Sequence, residues 1–281
     1  MLLTEETMPK ERKKGILAVS FGTSHADTRR VTIDAIEKEM QDAFPDYPLY
    51  RAWTSQMIIK KVKQRDHLII HTVKEALEQM KQDGITDVLV QPTHVINGIE
   101  NDRMKEDALC FQNSFCSISF GDPLLTSEQD NLAVIKAVAD EFSSLKKEEA
   151  LVLMGHGTPH FSNTVYAALD YTFKDKGYPN IFIGTVEAYP SMETLLKMID
   201  AYHPSKIYLA PFMIVAGDHA KNDMAGEDPE SWYSQFYALG YEVVPVIKGL
   251  GEYPSIRRLL VEHLTKLDSR EKSQKTAALT Q

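Results

Sequence analysis

The chain has 281 residues, 43% hydrophobic and 25% charged, with 31 basic against 40 acidic side chains and a net charge of −9. That composition belongs to a folded globular protein with apolar material for one large or two ordinary domains, and its acidic balance argues against nucleic-acid binding, which needs a basic face for phosphates. No stretch approaches the ~20 apolar residues of a membrane helix, and the first fourteen residues lack the apolar core of a secretion signal, so a cytoplasmic protein with no membrane partner is expected.

Residues 1–12 are polar and are expected to form a flexible tail. GILAVSFG (15–22) is a buried strand ending in glycine. Residues 25–44 have helical spacing, with Val31, Ile33, Ile36, Met40 and Phe44 three to four apart. A short strand is predicted at 48–54, a helix at 72–80, a strand at 87–96, a strand at 115–120 and an amphipathic helix at 131–145. The rhythm then restarts with EALVLMGHG (149–157), another strand ending in glycine. A helix at 162–175, a strand at 180–187, the helix SMETLLKMIDAY and the strand KIYLAPFMIVAG (206–217) follow. The helix DPESWYSQFYALG, the strand YEVVPVI and a last helix at 254–267 complete the order, leaving 269–281 as a second polar tail. Strands alternating with helices imply an α/β fold with mainly parallel sheets flanked by helices.

The restart preserves motifs as well as rhythm. SFGTSH (20–25) lies over GHGTPH (155–160), an offset of 135 that also places Met57 over Met192. VLVQPTHVINGIEND lies over IYLAPFMIVAGDHAKND, with Pro92 on Pro211 and Gly98 on Gly217, an offset of 119. The chain therefore reads as an internal duplication, an N-terminal half at 13–130 and a C-terminal half at 131–268. Ligands of open parallel sheets sit at the carboxyl ends of the strands, so two facing halves would form a cleft between those ends.

Several ionisable residues fall at such ends. His156 lies between Gly155 and Gly157, where a ligand can approach the backbone closely, although a histidine there could equally bond a nearby carbonyl. His219 follows Asp218 after another strand, and the duplication places it over Glu100. Glu187 ends the 180–187 strand, and His94 ends a fourth. Imidazole with carboxylate suits Co, Ni, Zn or Fe better than Mg or Ca. Cys110 and Cys116, spaced C-x5-C, match no zinc or redox motif and read as incidental thiols. His25 and His160 read as helix caps or solvent-facing groups, His67, His71, His203 and His263 as surface residues, and Asn222 and Asp223 as the start of a helix. Walker A and G-x-G-x-x-G patterns are absent.

The motifs SFGTSHADT, RAWTSQMIIKK, HVINGIE, GDPLL, MGHGTPH, VEAYP, PFMIVAGDHAKNDMAG and GLGEYPSIR resemble the anaerobic cobalt chelatases of cobalamin biosynthesis. These are class II chelatases, and the resemblance runs over about residues 15–265. It implies two similar α/β halves with the active site between them, and ATP-independent insertion of Co(II), as substrate metal, into sirohydrochlorin or precorrin-2. The family's two active-site histidines fall on His156 and His219, the glutamate of its VExYP motif on Glu187 and a further acidic residue on Glu100. The resemblance thus implies His156, Glu187 and His219 as metal ligands and His156, His219 and Glu100 as proton acceptors. His94, Phe21 and Met213 are expected against the tetrapyrrole. No organic cofactor is expected. Fe(II) or Ni(II) insertion into the same ring, or a tetrapyrrole- or metal-binding protein without turnover, are the alternatives. The sequence departs from the family at Lys221, where a less charged residue is expected. Cationic groups are expected at the rim to meet the substrate's carboxylates, with Arg51 and Lys60 as candidates. The resemblance implies a monomer, and the apolar surface left over would also allow a homo-oligomer.

Overall fold

The computed structural model describes residues 12–279, with side chains described to residue 273; the expectation for residues 1–11 and 280–281 lies outside them. The first half runs β1 (Lys14–Ser20), α1 (Ala26–Val31), α2 (Ile33–Ala43), β2 (Leu49–Trp53), α3 (Gln56–Asp66), α4 (Val73–Gln82), β3 (Asp87–Pro92), α5 (Ile99–Leu109), β4 (Ser117–Phe120) and α6 (Glu128–Glu141). The second runs β5 (Glu149–Gly155), α7 (Thr164–Asp175), β6 (Ile181–Thr185), α8 (Met192–Tyr202), β7 (Lys206–Pro211), α9 (Trp232–Ala238), β8 (Glu242–Pro245) and α10 (Pro254–Leu279).

The strands form two four-stranded sheets, ordered β2-β1-β3-β4 and β6-β5-β7-β8, with every pairing parallel. Fully buried runs such as Ile16 to Val19 and Ala150 to Met154 explain this, because a parallel sheet is covered on both faces. The duplication is visible in the register. Lys14 pairs with Asp87 in the first sheet and Glu149 with Lys206 in the second. The first strands are thus 135 residues apart and the third strands 119, the two offsets carried by the sequence motifs. Helices α3 and α8 match as well, each eleven residues long between a serine N-cap (Ser55, Ser191) and a left-handed histidine C-cap (His67, His203). That alignment is offset by 136, so Gln56, and not Met57, lies over Met192.

Three large cores hold this frame, with a smaller fourth cluster of Ile33, Trp53, Val62 and Ile70 under α3. One covers the outer face of the first sheet under α4 and α5 with Leu17, Leu77 and Val88, and another the outer face of the second sheet under α8 and α9 with Val152, Leu195 and Phe236. The third is continuous from β1 through α2, α6, β5 and α7 to α10 and joins the halves. The last helix crosses back to the first half, where it packs on α2 and β3.

Several local expectations need correction. The single helix expected at 25–44 is broken at Thr32 (φ −118°, ψ −84°). The run Val31-Thr32-Ile33 is β-branched and resists continuous helix, and the Thr32 hydroxyl takes the Thr28 carbonyl at 2.6 Å. Helix α6 begins three residues earlier than expected because Ser127 and Asp130 form a capping box. His263 is buried, not at the surface, its ring held by Asp130 Oδ1 at 2.9 Å and the Asp122 carbonyl at 3.0 Å. The residues expected as a C-terminal tail continue α10 to Leu279. There Asp268 binds the Lys14 ammonium, and buried Glu271 accepts from Ser117 and Ser119 at 2.8 Å each.

Ending the chain after Leu267 removes both carboxylates and leaves the mostly buried Lys14 without them. We expect the shortened chain to lose about 2–4 kcal/mol of unfolding free energy, measured by urea titration.

Candidate metal centre between the two sheets

In a 2-1-3-4 strand order the connections leaving the first and third strands turn to opposite faces, opening a crevice at their carboxyl ends. The residues singled out in the sequence leave from those ends or from the strand beside them. Phe21 follows β1, His94 and Glu100 follow β3, His156 follows β5, Glu187 follows β6, and Met213 and His219 follow β7.

His156 sits in a turn whose shape is imposed by Gly157. That residue has φ +85°, and a Cβ there would lie 2.9 Å from the Ala188 nitrogen. The absent side chain lets the β6 exit loop lie directly on the turn. Val186 N–H donates to the Gly155 carbonyl and Glu187 N–H to the His156 carbonyl, both at 3.0 Å. Glu187 Oε2 consequently stands 3.7 Å from His156 Nδ1. That nitrogen also lies 2.9 Å from the Gly157 carbonyl. Donation there leaves Nε2 with its lone pair, so the carbonyl-bonded and ligand-facing readings of His156 are compatible.

His219 is placed by a π-helical turn, Ala220–Met224, where the sequence suggested the start of a helix. The turn brings Asp223 Oδ2 to 2.5 Å from His219 Nδ1. A carboxylate receiving one imidazole N–H fixes the ring and turns the other nitrogen outward as a lone-pair donor, the arrangement common around metal-bound histidines. The His156 and His219 rings meet edge to face, with centroids 4.6 Å apart and planes at 89°. One ligand atom each from His156, Glu187 and His219 lies within 4.8 Å of the others, a spacing able to hold a metal ion. No thiolate joins them, and the set matches the imidazole-carboxylate chemistry of Co, Ni, Zn or Fe.

Two charged contacts tie the halves together beside this group. His25 Nε2 lies 2.7 Å from Asp218 Oδ1, and Lys221 Nζ lies 3.2 Å from His25 Nδ1. The His25 bond holds the Asp218 carboxyl below its ordinary range. At the duplicated position, His160 Nε2 of the second half faces Asp102 Oδ2 of the first at 3.3 Å, while its Nδ1 accepts the Ser162 N–H as a cap. His25 and His160 are matching residues of the duplication, and so are Asp102 and Lys221, 119 apart. The unexpected charge at Lys221 therefore occupies the place that an aspartate takes in the other half.

The remaining candidates are more dispersed. Glu100, in the first turn of α5, pairs with Arg103 at 3.2 Å and is not one of the three clustered groups. His94 is buried with neither ring nitrogen hydrogen-bonded. Burial pushes its pKa down to about 4 against the opposing pull of Glu100 and Asn101. Phe21 is 44% exposed and Met213 half-buried. Arg51 is corrected: its guanidinium is held by Asp34 and Glu37 of α2, because on β2 it covers the buried Glu37. Lys60 lies exposed on α3. Sequence reasoning missed the role of Asp223, whose signal was its four-residue spacing from His219.

The chain matches the family model described as Cobalt chelatase (CbiK) over residues 14–268. It is 39% identical over 252 residues to a sirohydrochlorin cobaltochelatase of Salmonella typhimurium strain LT2, covering 90% of this chain and 95% of that protein. It is 31% identical over 260 residues to the sirohydrochlorin cobaltochelatase CbiKC of Nitratidesulfovibrio vulgaris strain Hildenborough, covering 90% of each. Its fold is similar to the sirohydrochlorin chelatase SirB from Bacillus subtilis subspecies spizizenii in complex with cobalt. The TM-score is 0.63 at 14% identity, over 93% of this chain and 98% of that one.

His94 makes a prediction in its own right. Its folded pKa of about 4 lies below the ordinary 6.5, so the unfolded chain binds the proton first on acidification. The stability due to neutral His94 is complete above pH 6.5 and is lost as pH falls towards 4. We expect denaturant titrations between pH 7 and 4 to show a loss that includes about 3 kcal/mol from this group, and a His94→Gln variant to lack that component.

Proposed function

The chain belongs to the cobalt chelatase (CbiK) family, and from that premise we propose that it inserts Co(II) into sirohydrochlorin without ATP, with His156, Glu187 and His219 holding the metal. The observation that carries this reading is the convergence of those three groups, drawn from three loops, at the carboxyl ends of β5, β6 and β7. Residues 13–130 and 131–268 supply the two walls. Among the described residues no helix is long and apolar enough to cross a membrane, and we place the reaction in the cytoplasm.

Insertion exchanges two pyrrole N–H protons for one divalent ion. The metal must be held firmly enough to be positioned and loosely enough to be surrendered. Two imidazoles and a carboxylate meet that need, since three ligands leave coordination positions open to pyrrole nitrogens. Asp223 holds His219 and the Gly157 carbonyl holds His156, so each presents Nε2 without reorganising. As the ion passes to the ring, each released imidazole is neutral and within reach of a departing pyrrole proton. His156 or His219 takes one proton. Glu100 takes or relays the second from the opposite wall, where the start of α5 faces Ser162 of the second half. Exposed Phe21, at the end of β1, offers apolar surface to the macrocycle, and half-buried Met213 is the candidate from the second half. A pocket that favours a puckered ring, with nitrogen lone pairs exposed, binds the transition state better than the flat substrate.

The experiment is an anaerobic absorbance time course with sirohydrochlorin and Co(II), with Fe(II) and Ni(II) in parallel. We expect catalytic loss of the metal-free spectrum, fastest with Co(II). His156→Ala and His219→Ala should each lower kcat by about 10²–10⁴-fold, the span of a lost proton acceptor. Tight pigment binding with no rate above the uncatalysed reaction would instead identify a carrier.

Asp223 separates metal positioning from proton transfer. We expect Asp223→Asn to weaken Co(II) binding by about 10–100-fold, measured by calorimetry, while sirohydrochlorin affinity stays unchanged.

A further inference from the structure

A duplicated cleft poses a recognition problem. Two walls of the same design offer a near-symmetric macrocycle two similar orientations, unless the walls differ in charge. The matched helices α3 and α8 differ in this way. Between their common serine and histidine caps, α3 carries Lys60, Lys61, Lys63 and Arg65 against Asp66. Helix α8 carries Lys197 against Glu193 and Asp200. At the 136 offset Lys60 corresponds to Leu196, Gln64 to Asp200 and Arg65 to Ala201.

Each helix also borders a surface depression. The one on α3 is about 570 Å³ and is lined by Met57, Lys60, Lys61, Gln64 and Arg65. A second depression, about 520 Å³, touches α8 only at Leu196 and is otherwise lined by α9 and the segments flanking it, Glu227 among them, with no cation in its lining. The basic depression adjoins the metal centre. Lys61 Nζ lies 3.8 Å from Asp218 Oδ2, in the residue preceding His219. The Arg65 guanidinium donates to the Ser24 carbonyl in the loop after β1, and Ser55 N–H, at the start of α3, donates to the Phe21 carbonyl at 3.2 Å. Lys60 makes no ion pair with any described residue, and Met57 is 76% exposed.

We propose that the exposed face of α3, centred on Lys60 and Gln64, binds peripheral carboxylates of the tetrapyrrole and so sets which edge of the ring enters the first half. The proposal rests on the sirohydrochlorin reading above and adds the subsite that orients the ring. Cations gathered on one wall of a cleft in a protein of net charge −9 focus the field there. Met57 supplies apolar surface for the ring edge beside them. Lys61 and Arg65 are anchored to the rim, which among the cations lining the depression leaves Lys60 to take a carboxylate.

The test measures metal-free sirohydrochlorin binding by absorbance titration, Co(II) binding by calorimetry and turnover, for wild type, Lys60→Glu/Gln64→Glu and, as a charge-reversal control on α8, Lys197→Glu. All three substitutions fall at exposed helix positions and should leave thermal unfolding unchanged. We expect the α3 double variant to raise the pigment Kd about ten-fold, to weaken its salt dependence and to leave the Co(II) Kd within about two-fold. The α8 control should change none of these. An unchanged pigment Kd in the α3 variant, an equal loss of pigment and Co(II) affinity, or an equal effect from the α8 control overturns the proposal while wild-type turnover keeps the chelatase reading. A wild type that neither binds nor metallates sirohydrochlorin overturns both.

Discussion

Parallel pairing of β5 with both β6 and β7 is the constraint from which the site follows. Because all three strands point the same way, their exits open on one edge of the sheet. The loop after β6 is then bonded to the turn after β5, through Glu187 N–H to the His156 carbonyl and Val186 N–H to the Gly155 carbonyl. Gly157 makes the contact sterically feasible. A metal ligand on a free loop would lose conformational entropy whenever an ion bound; here the backbone of two of the three clustered residues is ordered beforehand. The third clustered residue is held differently, through its side chain, with Asp223 fixing the His219 ring. The centre thus combines backbone-fixed positions for His156 and Glu187 with a ring orientation for His219 that depends on one hydrogen bond.

The first half repeats the frame and not the chemistry. Gly22 has φ +102° and lies against the Trp53 ring, as Gly157 lies against its neighbouring loop. Yet the position of His156 is taken by Phe21, and the place of the π-turn by the regular helix α5 with Glu100 in its first turn. The duplication has produced a wall on which two imidazoles and a carboxylate converge and a wall with an apolar face, an acid and a row of cations. That division suits metal insertion, in which one side must hold an ion and the other a ring.

Much of this was legible because parallel sheets write themselves into sequence as short apolar runs ending in glycine. The offsets of 135 and 119 read from motifs are those of the strand registers, and the residues drawn together by the motif resemblance, His156, Glu187 and His219, converge in space. What escaped depended on partners distant in sequence or on irregular backbone. His263 has no local signal of burial, and its two partners, the Asp122 carbonyl and Asp130, lie 141 and 133 residues away. Asp223 looked like a helix start because a π-turn has no compositional signature. Arg51 looked like a rim cation because nothing local shows Asp34 and Glu37 rising to meet it from α2. The polar residues after Leu267 looked dispensable, although Ser117 and Ser119 of an edge strand wait for Glu271.

The same core that joins the halves limits how the cleft can move. Leu259, Leu260 and Leu264 of α10 belong to one buried cluster with Ile16 of β1, Leu151 of β5 and Phe173 of α7. Separating the halves would expose that cluster at about 25 cal/mol for each Å² of apolar surface. The rim contacts, His25 with Asp218 and His160 with Asp102, are single, partly exposed imidazole–carboxylate contacts, worth no more than the about 0–1 kcal/mol of an exposed ion pair. The rim therefore yields long before the base does. The loops after β1, β3 and β7 are thus joined across the halves by weak contacts, while the strands beneath them keep His156, Glu187 and His219 in register.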